Sequence, residues 1–203
     1  MQKSARISAI ALAATLSVFA AACSSSSSGS TTTAASSGIK LGIAFDTGGR
    51  GDGTFNDSAA RGGDRVKKEL GAAVDELEAT TAEDRQTNLQ TLTSNGDNPI
   101  VAVGFAFGDA LAKVAAANPK TFYADVDGYF DKAPSNVAFL SFAAEQGSFL
   151  VGCAAALKSK THHVGFIGGQ EIDLIKAFQA GYDAGATQCD PTVKLEQIGR
   201  APV

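Results

Sequence analysis

At 203 residues, 44% of them hydrophobic and 19% charged, the chain has the composition of a soluble globular protein, with apolar material for one α/β domain and part of another but not for two complete α/β lobes. Its formal net charge of −4 comes without a basic patch, which argues against nucleic acid as a partner.

In chain order the first element is an export signal. Lys3 and Arg6 supply a positive start, Ile7 to Ala22 an apolar segment, and Ala20, Ala21 and Ala22 the small residues just before Cys23. The segment is marginal for spanning a bilayer. Small residues ending directly on a cysteine resemble a bacterial lipoprotein signal. Residues 1–22 then form the signal peptide and Cys23 becomes the lipid-modified first residue of the mature protein; a plain secretory signal and an uncleaved anchor are the alternatives. From Ser24 to Gly38 no apolar residue exceeds alanine in size, so residues 23–38 are expected to form a flexible tether. The folded body would then work just off the extracytoplasmic face of the cell membrane.

Leu41–Phe45 reads as a buried strand with Asp46 at its carboxyl end, the side on which ligands sit in open α/β sheets. Gly48, Gly49, Gly51 and Gly53 follow, a loop whose backbone can approach a ligand closely. Phe55 comes next, either facing that crevice or opening the core stripe of a helix over Asn56–Leu70, in phase with Ala59, Val66 and Leu70. A weaker strand over Ala73–Ala79 and a short helix over Arg85–Thr93, with Leu89 and Leu92 inward, lead to a turn at Asn95–Pro99 and a strand at Ile100–Val103. Asp109 is expected to cap a helix carrying Leu111 and Val114 and ended by Asn118 and Pro119. Strands at Thr121–Ala124 and Val137–Leu140 follow, then a helix at Gln146–Ser159 with Phe149, Leu150, Cys153 and Leu157 on one face. The alternation predicts a parallel sheet covered on both faces. A second beginning appears where the strand Val164–Ile167 runs into Gly168 and Gly169, a helix bearing Ile175, Phe178 and Tyr182, and a strand at Val193–Ile198. Residues 39–161 therefore read as one α/β lobe and 162–203 as the start of another. Cys153 and Cys189 either pair outside the cell or stay a buried and a free thiol, since geometry cannot be read from spacing.

The chemistry-bearing residues leave several alternatives open. Asp46 is a ligand acceptor or a cap for its own glycine turn. Asp125 and Asp127 form an acid-x-acid pair after a strand, a pattern that also suits a divalent metal, although no basic residues stand nearby to receive phosphates. His162 and His163 read as linker residues without a Cys or acid at ligand spacing. The glycines fall at the wrong intervals for a dinucleotide fingerprint and there is no phosphate-loop lysine. No Ser, Cys or Lys has an evident activating base, so neither an enzyme nor a cofactor is expected.

Four ordered motifs, DTGGRGDGTFNDSA, VGFAFGDAL, EQGSFLVGCAAALKSK and HVGFIGGQEIDLIKAFQAGY, resemble the basic membrane protein family of bacterial lipoproteins from about Ile39 to Ile198. That family includes the purine nucleoside receptor lipoproteins, substrate-binding components of ABC importers. The resemblance implies a type I periplasmic-binding-protein fold, two Rossmann-like lobes closing on a nucleoside, with a membrane ABC permease as partner. It makes Asp46 the carboxylate that bonds ribose hydroxyls, Phe55 the aromatic that stacks on the base, and Asp127 the carboxylate that reads the base edge. Thr54 and Asn56 are second contacts, with Phe105 and Phe107 behind them. Family members continue past the equivalent of Ile198 through the rest of the second lobe, which carries a further aromatic, an acid and a lysine. On that comparison the chain is expected to be a truncated member with half a cleft and with apolar faces uncovered near Ile175, Phe178 and Ile198. A surface lipoprotein acting through protein contacts, as sensor or antigen without transport, is the alternative.

Overall fold

A computed structural model describes residues 38–198, which belong to one compact unit. The expected export segment, Cys23 and the tether before Gly38 lie outside the described residues. Five strands, β1 (Lys40–Phe45), β2 (Ala73–Glu78), β3 (Ile100–Val103), β4 (Tyr123–Val126) and β5 (Val137–Leu140), form one sheet in the order β2-β1-β3-β4-β5. Every pairing is parallel. The connections carry the helices α1 (Phe55–Leu70), α2 (Asp84–Ser94) and α3 (Gly108–Ala117). One core lies under α1 and holds Leu41, Ile43, Phe45, Ala60 and Val103. The other holds Leu89, Leu92, Ile100, Phe107, Leu111 and Tyr123. Alternating β1 residues feed opposite faces, as the pleat requires of a sheet buried on both sides.

Two local expectations are corrected here. Asp109 does not cap α3; it lies inside the first turn, and the segment enters the helix through a 3-10 turn at Phe105–Phe107. The strand expected at Thr121–Ala124 is β4, two residues later, because the buried polar Asp125 sits within it. Of the four β2 side chains that are part-covered, Asp75 and Glu76 are acidic, and this outer strand is tied back by Arg50, which bonds Glu76 at 2.6 Å and Asp64 at 3.0 Å. A charged edge of that kind discourages pairing with another chain.

The remaining elements are α4 (Ala144–Lys158), β6 (His163–Ile167), α5 (Asp173–Cys189) and β7 (Lys194–Ile198), with β6 and β7 a parallel pair. The expected apolar face of α4 divides: Phe149 and Cys153 are half-buried, while its two leucines turn outward. Leu150 and Leu157 are 69% and 67% exposed, and the buried residues are Ala144, Ser148, Gly152 and Ala156. Small residues win because α4 and α5 meet backbone to backbone. A Cβ on Gly152 would strike the Tyr182 carbonyl, one on Gly181 that of Glu145, and one on Gly185 that of Phe149. The exposed apolar surface accordingly lies at Leu150, Val151, Leu157 and Ile167 rather than at Ile175 and Phe178, which are half-buried.

Cys153 and Cys189 are joined in a disulfide, their Cα atoms 5.2 Å apart, which resolves the pairing left open by the sequence. It fastens α4 to the end of α5. With a sequence separation of 36 between the two cysteines, chain entropy alone assigns the cross-link about 4 kcal/mol. Replacing both by alanine is expected to lower the free energy of unfolding by about that amount, read as an earlier urea midpoint.

Candidate functional site

The carboxyl ends of β1, β3 and β4 lie side by side, and each delivers one part of a site. β1 leads directly into Asp46, whose Oδ1 accepts three hydrogen bonds, from the Thr47 amide (2.8 Å), the Thr47 hydroxyl (3.2 Å) and Arg85 Nε (2.8 Å), and forms an ion pair with Arg85 Nη2 (2.7 Å). Asp46 Oδ2 has no hydrogen-bond partner among the described residues. It faces Gly104, the residue after β3, whose φ of 119° suits glycine alone. A Cβ there would lie at ordinary contact distance, 3.7 Å from Asp46 Oδ2 and 3.8 Å from Phe55 Cε1, so the carboxylate and the ring stand together over this residue and it is the backbone angle, not the space, that calls for glycine. The cap reading of Asp46 is thus satisfied by one oxygen, with the other left over.

Phe55 is the first residue of α1 and 38% exposed, which removes it from the core. The loop before it is set by two carboxylates. Asp52 accepts the amides of Thr54 (2.8 Å), Asn56 (2.9 Å) and Asp57 (3.1 Å), and those bonds at the helix start, the Thr54 amide foremost, hold its carboxyl at about 2. Asp57 in turn accepts the amides of Gly51 (2.8 Å) and Gly53 (3.0 Å). Three loop amides, of Gly51, Gly53 and Thr54, and two at the helix start, of Asn56 and Asp57, are satisfied by this exchange, which fixes the approach of Phe55.

Asp127 follows β4 with a left-handed φ of 60°, and its amide donates to the Leu140 carbonyl at 2.9 Å. Its side chain is half-buried and bonded to no described residue; burial pushes its carboxyl up. Asp127 and Phe55 line one open cleft of about 880 Å³. Val103 and Val126 form its floor, and Phe142, Ser148, Phe166 and Tyr182 stand on the α4, β6 and α5 side. Tyr182 and Phe166 lie with ring centroids 5.9 Å apart.

The other expected contacts are placed differently. Thr54 and Asn56 do not line this cleft. The Thr54 hydroxyl bonds Asp52 at 3.1 Å, and Asn56 is buried with its Oδ1 unpartnered. Phe105 is 36% exposed, whereas Phe107 is fully buried in the core and is withdrawn as a ligand contact. Among the described residues no three His, Cys, Asp or Glu side chains gather where they could hold a metal ion. His162 and His163 do have acidic partners, Asp190 at 2.6 Å and Glu196 at 3.0 Å, and His163 opens β6 rather than sitting in a linker. The residue missed from sequence is Arg85. On a short polar helix it reads as a solvated charge, and only the fold brings α2 against the loop after β1.

A parallel α/β sheet with its unbonded acceptors at the strand carboxyl ends, facing a second α/β segment across a cleft, is the architecture of periplasmic solute-binding proteins. A solute-binding protein from Aeropyrum pernix K1 superimposes with a TM-score of 0.69 at 31% identity, over 79% of this chain and 47% of that one. Residues 39–197 match the family described as ABC transporter substrate-binding protein PnrA-like, and the chain belongs to that family. It is 34% identical over 161 residues to basic membrane protein A2 of Borrelia garinii subsp. bavariensis, covering 78% of this chain and 48% of the relative. It is 33% identical over 162 residues to the ABC transporter nucleoside-binding protein BmpA of Lactococcus lactis subsp. cremoris, covering 78% and 46%. The chain therefore spans about half the length of the curated relatives it matches.

Proposed function

We propose that this protein is a lipid-anchored substrate-binding component of an ABC importer, held to the membrane through Cys23, and that it takes a nucleoside, of the purine class, for delivery to a permease. The observation that carries this reading is the arrangement of Phe55 and Asp127 on one cleft with Asp46 beside Phe55. It offers one apolar plate and two carboxylates with unbonded oxygens. A nucleoside is a neutral flat heterocycle joined to a sugar, and its hydroxyl and N–H donors call for acceptors around a stacking surface. The naming of the Lactococcus relative as nucleoside-binding supports the same ligand class.

The test is a thermal melt of the full chain with adenosine, guanosine, inosine, uridine and cytidine at millimolar concentration. A ligand at about 100 times its Kd adds about 2.7 kcal/mol, so the purine nucleosides are expected to move the transition upward. A cooperative melt that none of the five displaces would remove the reading. Arg85 gives a second check. By occupying Asp46 Oδ1 from α2 it leaves Oδ2 aimed past Gly104, and Arg85→Met is expected to weaken binding about tenfold, the worth of one charge-assisted hydrogen bond held in place. Titration calorimetry giving equal affinities for the variant and the parent would remove Arg85 from the site.

A further inference from the structure

Asp125 lies on β4, two residues before Asp127, with no exposed surface. Neither of its carboxyl oxygens has a hydrogen-bond partner among the described residues. In register beside it stand Ala102 on β3 and Phe139 on β5. Two residues earlier on the same face is Tyr123, whose hydroxyl is engaged with Thr93 at 2.8 Å. On the helix side that face is covered by apolar residues, Phe107 and Leu111 among them. The charged group that acts on Asp125 is Asp127. A carboxylate in such surroundings has nothing to offset its desolvation, whereas a protonated carboxyl is far cheaper to bury. Burial first, and the Asp127 charge second, push Asp125 up to about 7.

The backbone of the site rests on this side chain. A Cβ on Gly128 would overlap the Asp125 carboxyl, so the turn that carries Asp127 is packed directly on it. Asp127 itself holds a φ of 60°, a conformation that costs a non-glycine residue and persists where the surroundings enforce it.

We propose that Asp125 is a positioning residue for Asp127: a neutral carboxyl that supports the Asp127–Gly128 turn from beneath, and whose ionisation unseats that turn and with it the nucleoside site. The proposal rests on the reading of Asp127 as a ligand acceptor. The competent state has Asp125 protonated and Asp127 ionised. Affinity therefore falls on the acid side as Asp127 takes up a proton, and on the alkaline side as Asp125 loses one, there by about tenfold per pH unit once past about 7. The stability linkage has a definite sign. Unfolded, Asp125 loses its proton near 3.8, and folded it keeps the proton to about 7, so the native state holds the extra proton between those values and stability declines as pH rises through that window.

The experiment pairs calorimetric titration of inosine, guanosine and adenosine with urea unfolding, both from pH 4 to 9, on the full chain and on Asp125→Asn. The parent is expected to lose affinity above about pH 7 and to show a falling urea midpoint between pH 4 and 7, with the first trend absent and the second reduced in Asp125→Asn. A purely structural role would move the midpoint and leave the alkaline limb of affinity the same in both proteins, which overturns the proposal. Gly128→Ala supplies an independent arm: it is expected to weaken binding in the parent and to weaken it less when Asp125→Ala has cleared the space beneath. Equal losses in the two backgrounds overturn the proposal as well. If the parent takes up none of the three nucleosides at any pH, the functional reading falls. The unfolding arm then decides, and identical midpoint profiles for the parent and Asp125→Asn overturn the proposal there.

Discussion

Asp127→Gly is expected to reduce nucleoside affinity by two to three powers of ten while leaving cooperative unfolding intact. A half-buried carboxylate accepting two donors from a ligand contributes about 3 to 4 kcal/mol, at roughly 1.5 to 3 per charge-assisted bond with some loss to desolvation. Glycine is the cleaner substitution here, because it adopts the φ of 60° found at this position without strain, whereas alanine would add a backbone cost to the lost acceptor. Asp127→Asn should fail nearly as badly, since its NH2 would confront the ligand's own donors. Titration calorimetry on the parent and both variants reads the effect. An Asp127→Gly protein that binds as tightly as the parent would displace Asp127 from the role assigned to it.

The largest expected effect on stability lies away from the cleft. Gly185→Val on α5 is expected to cost more than about 4 kcal/mol, among the severe outcomes for a single substitution. A branched side chain there has to displace the Phe149 carbonyl of α4, and backbone cannot swing aside as a flexible side chain can. Gly152 and Gly181 face the same obstacle against Tyr182 and Glu145, so their valine variants should behave alike. Gln188→Ala, exposed near the end of the same helix, is expected to stay within about 0.5 kcal/mol of the parent. Urea denaturation of the set checks both. A Gly185→Val chain with the parent's midpoint would mean that the two helices are not in backbone contact.

Much of the sheet was legible in the sequence, since β1, β3 and β5 are short apolar runs bounded by turn residues, and Leu89 and Leu92 mark the inner face of α2 by spacing alone. Sequence pattern and structure diverge where size and burial part company. On α4 the large apolar residues share one face by spacing, yet close helix packing buries Gly152, Ser148 and Ala156 and turns Leu150 and Leu157 to the surface. Asp125 displaced the expected end of β4, because a carboxyl inside a core contradicts the pattern by which strands are found. At the site, Asp46, Phe55 and Asp127 stood out through their position after strands and beside glycines. Arg85 did not, because its partner lies 39 residues away and nothing local announces the pairing. Phe107 parts from Phe105 because the 3-10 turn that begins at one and ends at the other leaves Phe105 exposed and Phe107 buried.

The order of the strands bears on how the chain acquires its shape. β1 and β2 pair first in sequence, and β3, β4 and β5 then join one open edge in the order in which they are made. Each newcomer finds its place on a template already standing, and no earlier strand has to part to admit a later one. Growth of that kind suits a polypeptide that emerges from one end, because every intermediate is a shorter version of the same sheet and the loop to be closed at each step holds a single helix or, between β4 and β5, none. Folding from the first strand outward is therefore expected to leave the site's three strand ends assembled as soon as β4 has docked, before α4, α5 and their disulfide have formed.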